Sequence, residues 1–170
     1  DLELNYCLFA GNDAGVKNGG AIFVYNVANM DIVNCTFADN DANAGSSISV
    51  NNPGGTTPTV NITNSIIWNR NSTAPKEIDW LGQGNLTVAY SLLQDGMNDV
   101  HGSAQYTYDA PVIDVSSQIL TSDPAFNDAA NGDYSLSEIS PCIDQGDDSI
   151  LDQETKDIID ASRYDSANIV

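Results

Sequence analysis

Apolar residues return along this chain in a recurring frame. Leu4-Asn5-Tyr6-Cys7-Leu8-Phe9 is followed by Ile32-Val33-Asn34-Cys35-Thr36-Phe37, by Ile62-Thr63-Asn64-Ser65-Ile66-Ile67 and by Val88-Ala89-Tyr90-Ser91-Leu92-Leu93. The steps of 28, 30 and 26 residues suit one supersecondary unit per copy in a stacked solenoid. Behind the first three copies comes a second apolar segment: Gly20–Val24, Ser46–Val50 and Glu77–Trp80. Within these, Ile22/Val24, Ile48/Val50 and Ile78/Trp80 alternate with other residues, with Phe23 as the apolar exception. A period of two predicts strands with one face inward. The breaks are rich in Gly, Asn, Asp and Pro, which suit turns.

Stacked copies place equivalent residues one above another at the strand spacing of about 4.8 Å. Cys7, Cys35, Ser65 and Ser91 then form a column of small side chains, beside an apolar column of Phe9, Phe37, Ile67 and Leu93. The predicted fold is an all-β parallel β-helix of about four or more rungs. The alternative is a leucine-rich-repeat solenoid, whose frame Ile32-x-x-Cys35-x-Phe37-x-x-Asn40 also fits. That fold needs a helical return leg, whereas here the return leg alternates like a strand, and Arg70 stands where the third Asn belongs. Residues 1–94 are read as the repeats, 95–121 as an insertion or irregular loop, and 122–170 as a loop-rich acidic closing segment on the same domain.

Length fits one domain with a real core. The formal charge of −19, from 24 acidic and 5 basic side chains, argues against nucleic acid and against anionic membrane as partners. Abundant Asn, Ser, Thr and Gly with few Lys suggest secretion to the exterior or cell surface. No apolar run reaches the roughly 20 residues of a membrane helix. Asp1-Leu2-Glu3-Leu4 opens inside a repeat, which predicts a piece of a longer precursor.

The run Ile32–Asn40, with its Gly-rich turn and following strand, resembles secreted right-handed parallel β-helix repeat proteins of the pectate-lyase-like, bacterial surface type. Asp123-Pro124-Ala125-Phe126, Asn131–Leu136 and Ser140–Gly146 look like the closing segment of such proteins. The resemblance covers about residues 2–94 and 123–146. It implies an elongated extracellular module with a right-handed coil, and no single activity.

Candidate chemistry is sparse. Lyases of this fold pair clustered Asp and calcium with an Arg or Lys base, and none of the five basic residues recurs beside an acidic cluster in the repeats. His101 is the single histidine and reads as a polar loop residue. Catalytic residues are therefore assigned to none. Asp144, Asp147, Asp148 and Asp152 gather oxygens enough for calcium as a structural ion, without the ligand spacing of an EF-hand. Sequons fall at Asn34, Asn61, Asn71 and Asn85; strand parity turns Asn61 and Asn85 outward, and Asn71 sits in a turn. Cys7 and Cys35 on adjacent rungs lie within reach of a disulfide, with two buried thiols as the alternative. Trp68 follows an inward Ile67 and is expected to face outward as a surface aromatic.

Two functions follow. The first is a non-catalytic extracellular structural module that self-assembles head to tail through open β-helix ends, using Leu2, Leu4, Ile169 and Val170, possessing no required cofactor and carrying glycans on its sequons. The alternative is a carbohydrate-active module that binds polysaccharide or hydrolyses it with paired carboxylates.

Overall fold

Each sequence repeat supplies strands that bend around a common interior. The computed structural model describes residues 1–26, 29–105 and 107–150. The first turn holds β1 (Leu2–Asn5), β2 (Leu8–Ala10) and β3 (Ile22–Tyr25). The second holds β4 (Asn29–Val33), β5 (Thr36–Ala38) and β6 (Ile48–Asn51). The third holds β7 (Thr59–Thr63), β8 (Ile66–Trp68) and β9 (Ile78–Leu81). In the fourth, β10 (Asn85–Leu93) precedes β11 (Val100–Ser103), and β12 (Val112–Leu120) opens a further turn. A hairpin of β13 (Phe126–Asp128) and β14 (Asp133–Leu136) follows.

The coil strands pair in parallel, each with its equivalent in the next turn. One face runs β1-β4-β7-β10-β12, another β2-β5-β8-β10, and the third β3-β6-β9-β11. The first two merge into one sheet because β10 passes unbroken through the bend and pairs with both β7 and β8. The protein is an all-β parallel solenoid of about four turns, with no α-helix among the described residues. Because the return legs are strands that form a sheet of their own, the leucine-rich-repeat alternative is set aside.

In-register stacking builds the core. Leu4, Ile32, Ile62 and Val88 form one column, and Phe9, Phe37, Ile67 and Leu93 another. Phe9 and Phe37 lie face to face with ring centroids 4.9 Å apart, and Phe37, Ile67 and Leu93 are fully buried. Burial of each such side chain stabilises by about 1.5–3 kcal/mol. In the column Val24-Val50-Trp80-Gly102, the bulk of Trp80 is followed by a residue with no side chain. A Cβ on Gly102 would come within 2.6 Å of Ile113 Cδ1.

The small-residue column does more than fill space. At each bend one residue takes a left-handed conformation: Tyr6, Asn34, Asn64, Tyr90 and Gln118 have φ between 49° and 56°. A Cys or Ser follows each of the first four, and in the second, third and fourth turns its side chain accepts an amide from the preceding turn. Cys7 N–H donates to Cys35 Sγ at 3.4 Å, Cys35 N–H to Ser65 Oγ at 3.1 Å, and Ser65 N–H to Ser91 Oγ at 3.0 Å. Each side chain donates in turn to the carbonyl two residues before it, as Ser65 does to Thr63 at 2.9 Å and Ser91 to Ala89 at 2.7 Å. Backbone groups that the bend removes from the strand ladder thus find partners inside.

Residues 95–121 are not an irregular loop throughout, since they carry β11 and β12. Both strands escape the repeat frame for geometric reasons. Val100 pairs with Ile78 after only 22 residues, whereas Ile78 pairs with Ile48 after 30. In β12 a register shift opposite Thr87–Ala89 inserts an extra residue, a bulge that displaces the pattern. The segment after β12 lies along the flank of the coil. Asn64, before β8, bonds the backbone of Asp147 at 3.1 and 2.7 Å, and the Tyr134 hydroxyl donates to Asp39, after β5, at 3.2 Å.

Ser65→Ala is expected to cost about 1–3 kcal/mol, because it strands the buried Cys35 amide. Ser65→Cys should cost less, since sulfur already serves in this column. Tyr6, exposed and held at positive φ, should gain a few tenths of a kcal/mol on replacement by Asn. Urea unfolding midpoints of the three variants check all three signs.

Candidate functional site

Three regions hold side chains whose chemistry exceeds packing. The first is the outer edge of the first turn. Among the described residues β1, β2 and β3 each pair on one side only. Leu2 is 44% exposed although its partner Met30 is fully buried. Leu4, Cys7, Phe9, Ile22 and Val24 are packed against the core on one side and only half-buried. The polar columns stop at the same edge. Asn12 donates its amide and its side-chain N–H to Asn40 Oδ1 at 3.1 and 2.8 Å, while its own Oδ1 accepts nothing among the described residues. The edge offers an apolar platform bordered by strand backbone and unused acceptors.

The second region is a buried polar network. Asn40 N–H donates to Asn69 Oδ1 at 2.7 Å, extending the Asn12–Asn40 ladder into the third turn. Arg70 takes the sequence-frame position, yet Asn69 takes the structural one. The left-handed residue before the ladder Asn, Gly11 in the first turn and Asp39 in the second, has no counterpart in the third. Asn69 donates to Ser47 Oγ at 2.7 Å and to Glu77. Ser46 and Ser47 hydroxyls also donate to Glu77 Oε2, at 2.6 and 3.2 Å. Burial pushes the Glu77 pKa up, more than these three donors pull it down, and the nearby Asp99 adds to the rise. Asp99 is raised as well, by burial first and by the Asp95 charge, against an amide hydrogen bond and Lys76. The cluster is closed to solvent, with Glu77 5% exposed, and it braces one corner of the coil.

The third is a carboxylate–imidazole pair. His101 is a strand residue, opposite Asp79 in the β9–β11 pairing, and its Nδ1 lies 2.7 Å from Asp79 Oδ1. A carboxylate at Nδ1 favours the tautomer with Nε2 as the basic nitrogen. Ser49 adjoins Asp79 on the other side, so the column reads Ser, Asp, His. The carboxylate stands between the hydroxyl and the base, and the relay of an acyl-transfer triad, with His in the middle, is not formed. Sequence reasoning missed this pair because the short step to β11 concealed its register.

The remaining candidates scatter. Asn71 and Asn85 are exposed, whereas Asn61 is half-buried and gives its amide to Asp31 at 2.8 Å. Asn34 is half-buried in the left-handed bend position. Cys7 and Cys35 are free thiols engaged in the bend ladder rather than a disulfide, and burial raises the Cys35 pKa. Trp68 is half-buried rather than a surface aromatic, its Nε1 shielded and without an acceptor among the described residues. It lies on β8, between Asn64 and Arg70, where the closing segment runs. Asp147 Oδ1 accepts from Ser149 N–H at 2.9 Å. Among the described residues no three His, Cys, Asp or Glu side chains come together in a metal-ligating group. Asp152, Ile169 and Val170 lie outside the described residues.

The raised Glu77 pKa fixes a pH dependence. The folded state holds the Glu77 proton more tightly than the unfolded chain, so this contribution to stability is present in acid. It is lost as pH rises from the ordinary carboxylate range through the folded value. Glu77→Gln should flatten that slope and gain on the order of 1 kcal/mol at pH 7, measurable by urea titration between pH 4 and 8.

No family model, curated protein or solved structure matches the chain, so function is argued from these residues alone.

Proposed function

We propose that this protein is a non-catalytic structural module that assembles end to end with copies of itself outside the cell. The first-turn edge carries this reading. Its inward side chains continue the apolar columns to the outer edge, where Leu2 is 44% exposed beside a fully buried Met30. Covering that platform with a second copy removes apolar surface from water and supplies partners for strand backbone. Cys7 Sγ and Asn12 Oδ1 occupy the positions at which Cys35 and Asn40 accept amides from the turn before. A donor turn stacked in the same register would use them likewise.

Joining unlike ends through a heterologous interface gives a filament when the rotation does not close. Deep polar residues support a structural role rather than a reactive one, since Glu77 and its donors are spent on each other. The acid-rich, lysine-poor surface supports an extracellular location, and the exposed Asn85 is the best-placed attachment point for glycan. Charge opposes association, because like copies each carry −19. Assembly should therefore strengthen with salt.

Light scattering coupled to size exclusion, with negative-stain microscopy, tests the reading. Polymers whose length grows with protein concentration and with salt are expected. Leu4→Lys, which sets a charge into the joint, should return the protein to monomers with its circular dichroism unchanged. A wild-type protein that stays monomeric at every concentration and ionic strength would overturn the proposal.

A further inference from the structure

A cleft of 540 Å³ opens between the flank of the coil and the β13–β14 hairpin, lined by Asp39, Asp41, Arg70, Asn71 and Tyr134 with Ala129–Ala130 at its rim. Its floor is fixed in advance. Arg70 donates through Nε and Nη2 to the two Asp39 carboxylate oxygens at 3.2 and 2.7 Å. The Tyr134 hydroxyl donates to Asp39 Oδ2 at 3.2 Å, and the Tyr134 and Phe126 rings pack perpendicular to each other with centroids 5.4 Å apart. Groups already locked in place lose little freedom when a ligand arrives.

Hydrogen-bonding capacity remains beyond this framework. Arg70 Nη1 and both polar atoms of the Asn71 side chain have no hydrogen-bond partner among the described residues. Asp41 Oδ2 accepts from the Thr73 hydroxyl alone, at 3.1 Å. Donors and acceptors thus alternate within one small concave surface that Tyr134 also lines. We propose that this cleft binds a short neutral oligosaccharide.

Adjacent sugar hydroxyls each donate and accept, as the Arg70, Asn71 and Asp41 atoms require. The apolar C–H face of a pyranose matches the Tyr134 ring. The volume falls within the roughly 300–1,000 Å³ range of small-molecule sites. Charge selects against an acidic ligand. An acidic ligand meets a protein of net charge −19, and at the floor the Arg70 and Asp39 charges offset each other. This inference concerns the flank of the coil, and it does not rest on end-to-end assembly.

The test uses the full chain produced in a host that adds no N-glycans, so that Asn71 is unmodified. Neutral tetramers of glucose, mannose and galactose are titrated beside tetramers of galacturonate and of glucosamine, with backbone amide signals followed by NMR. At least one neutral tetramer should shift the Asn71 and Tyr134 signals saturably. Asn71→Ala, at an exposed side chain without hydrogen bonds, should keep the fold and weaken that binding about tenfold. Tyr134→Phe keeps the ring and should weaken it by a smaller factor through loss of the Asp39 anchor. Absence of saturable shifts with all three neutral tetramers would overturn the proposal. So would tighter binding of either charged tetramer, or an unchanged affinity in Asn71→Ala.

Discussion

Everything in this fold depends on equivalent side chains lying in register from turn to turn. Parallel pairing fixes the vertical spacing, and the spacing then dictates what each column can hold. Apolar columns exclude water along the axis. The Cys and Ser column handles the harder problem, which is how a backbone can bend between two strands without stranding an amide. Because the oxygen or sulfur of one turn serves the amide of another, no turn completes its own hydrogen bonding. Stability is accordingly a property of neighbouring pairs, as expected for a one-dimensional stack.

The polar interior follows the same rule under stricter conditions. Asn12, Asn40 and Asn69 pass one pattern of donors through three turns, and it ends at a carboxyl surrounded by hydroxyls. A buried acid there is tolerable because donors face it and because burial, which raises its pKa, favours the neutral form. The Asp79–His101 pair reaches the surface instead, with Asp79 shielded and His101 half open.

Much of the coil could be read from sequence because its information is periodic. The Cys7-Cys35-Ser65-Ser91 and Phe9-Phe37-Ile67-Leu93 columns are visible as soon as the copies are aligned, and both stand in the structure. Legibility failed where the period did. The short step to Val100 hid β11 and with it the partner of Asp79, and one extra residue hid β12. Asn69 was overlooked for a related reason, because omission of a left-handed residue moved it one place along the chain. The flank was unreadable in another sense. Where residues 122–150 settle is decided by contacts such as Asn64–Asp147, 83 residues apart. No local pattern encodes a separation of that kind.

The bend ladder also has a direction. Amides of earlier turns point toward side chains of later ones, and the series stops at Ser91, whose stacked neighbour Ile119 brings no oxygen. Among the described residues the ladder therefore begins at Cys7, whose sulfur accepts no amide, and ends at Ser91, whose oxygen is already taken. The coil behaves as a polar object with a distinguishable head and tail. A turn added at the head would complete contacts already prepared for it, and a turn added at the tail would have to begin a new series of its own.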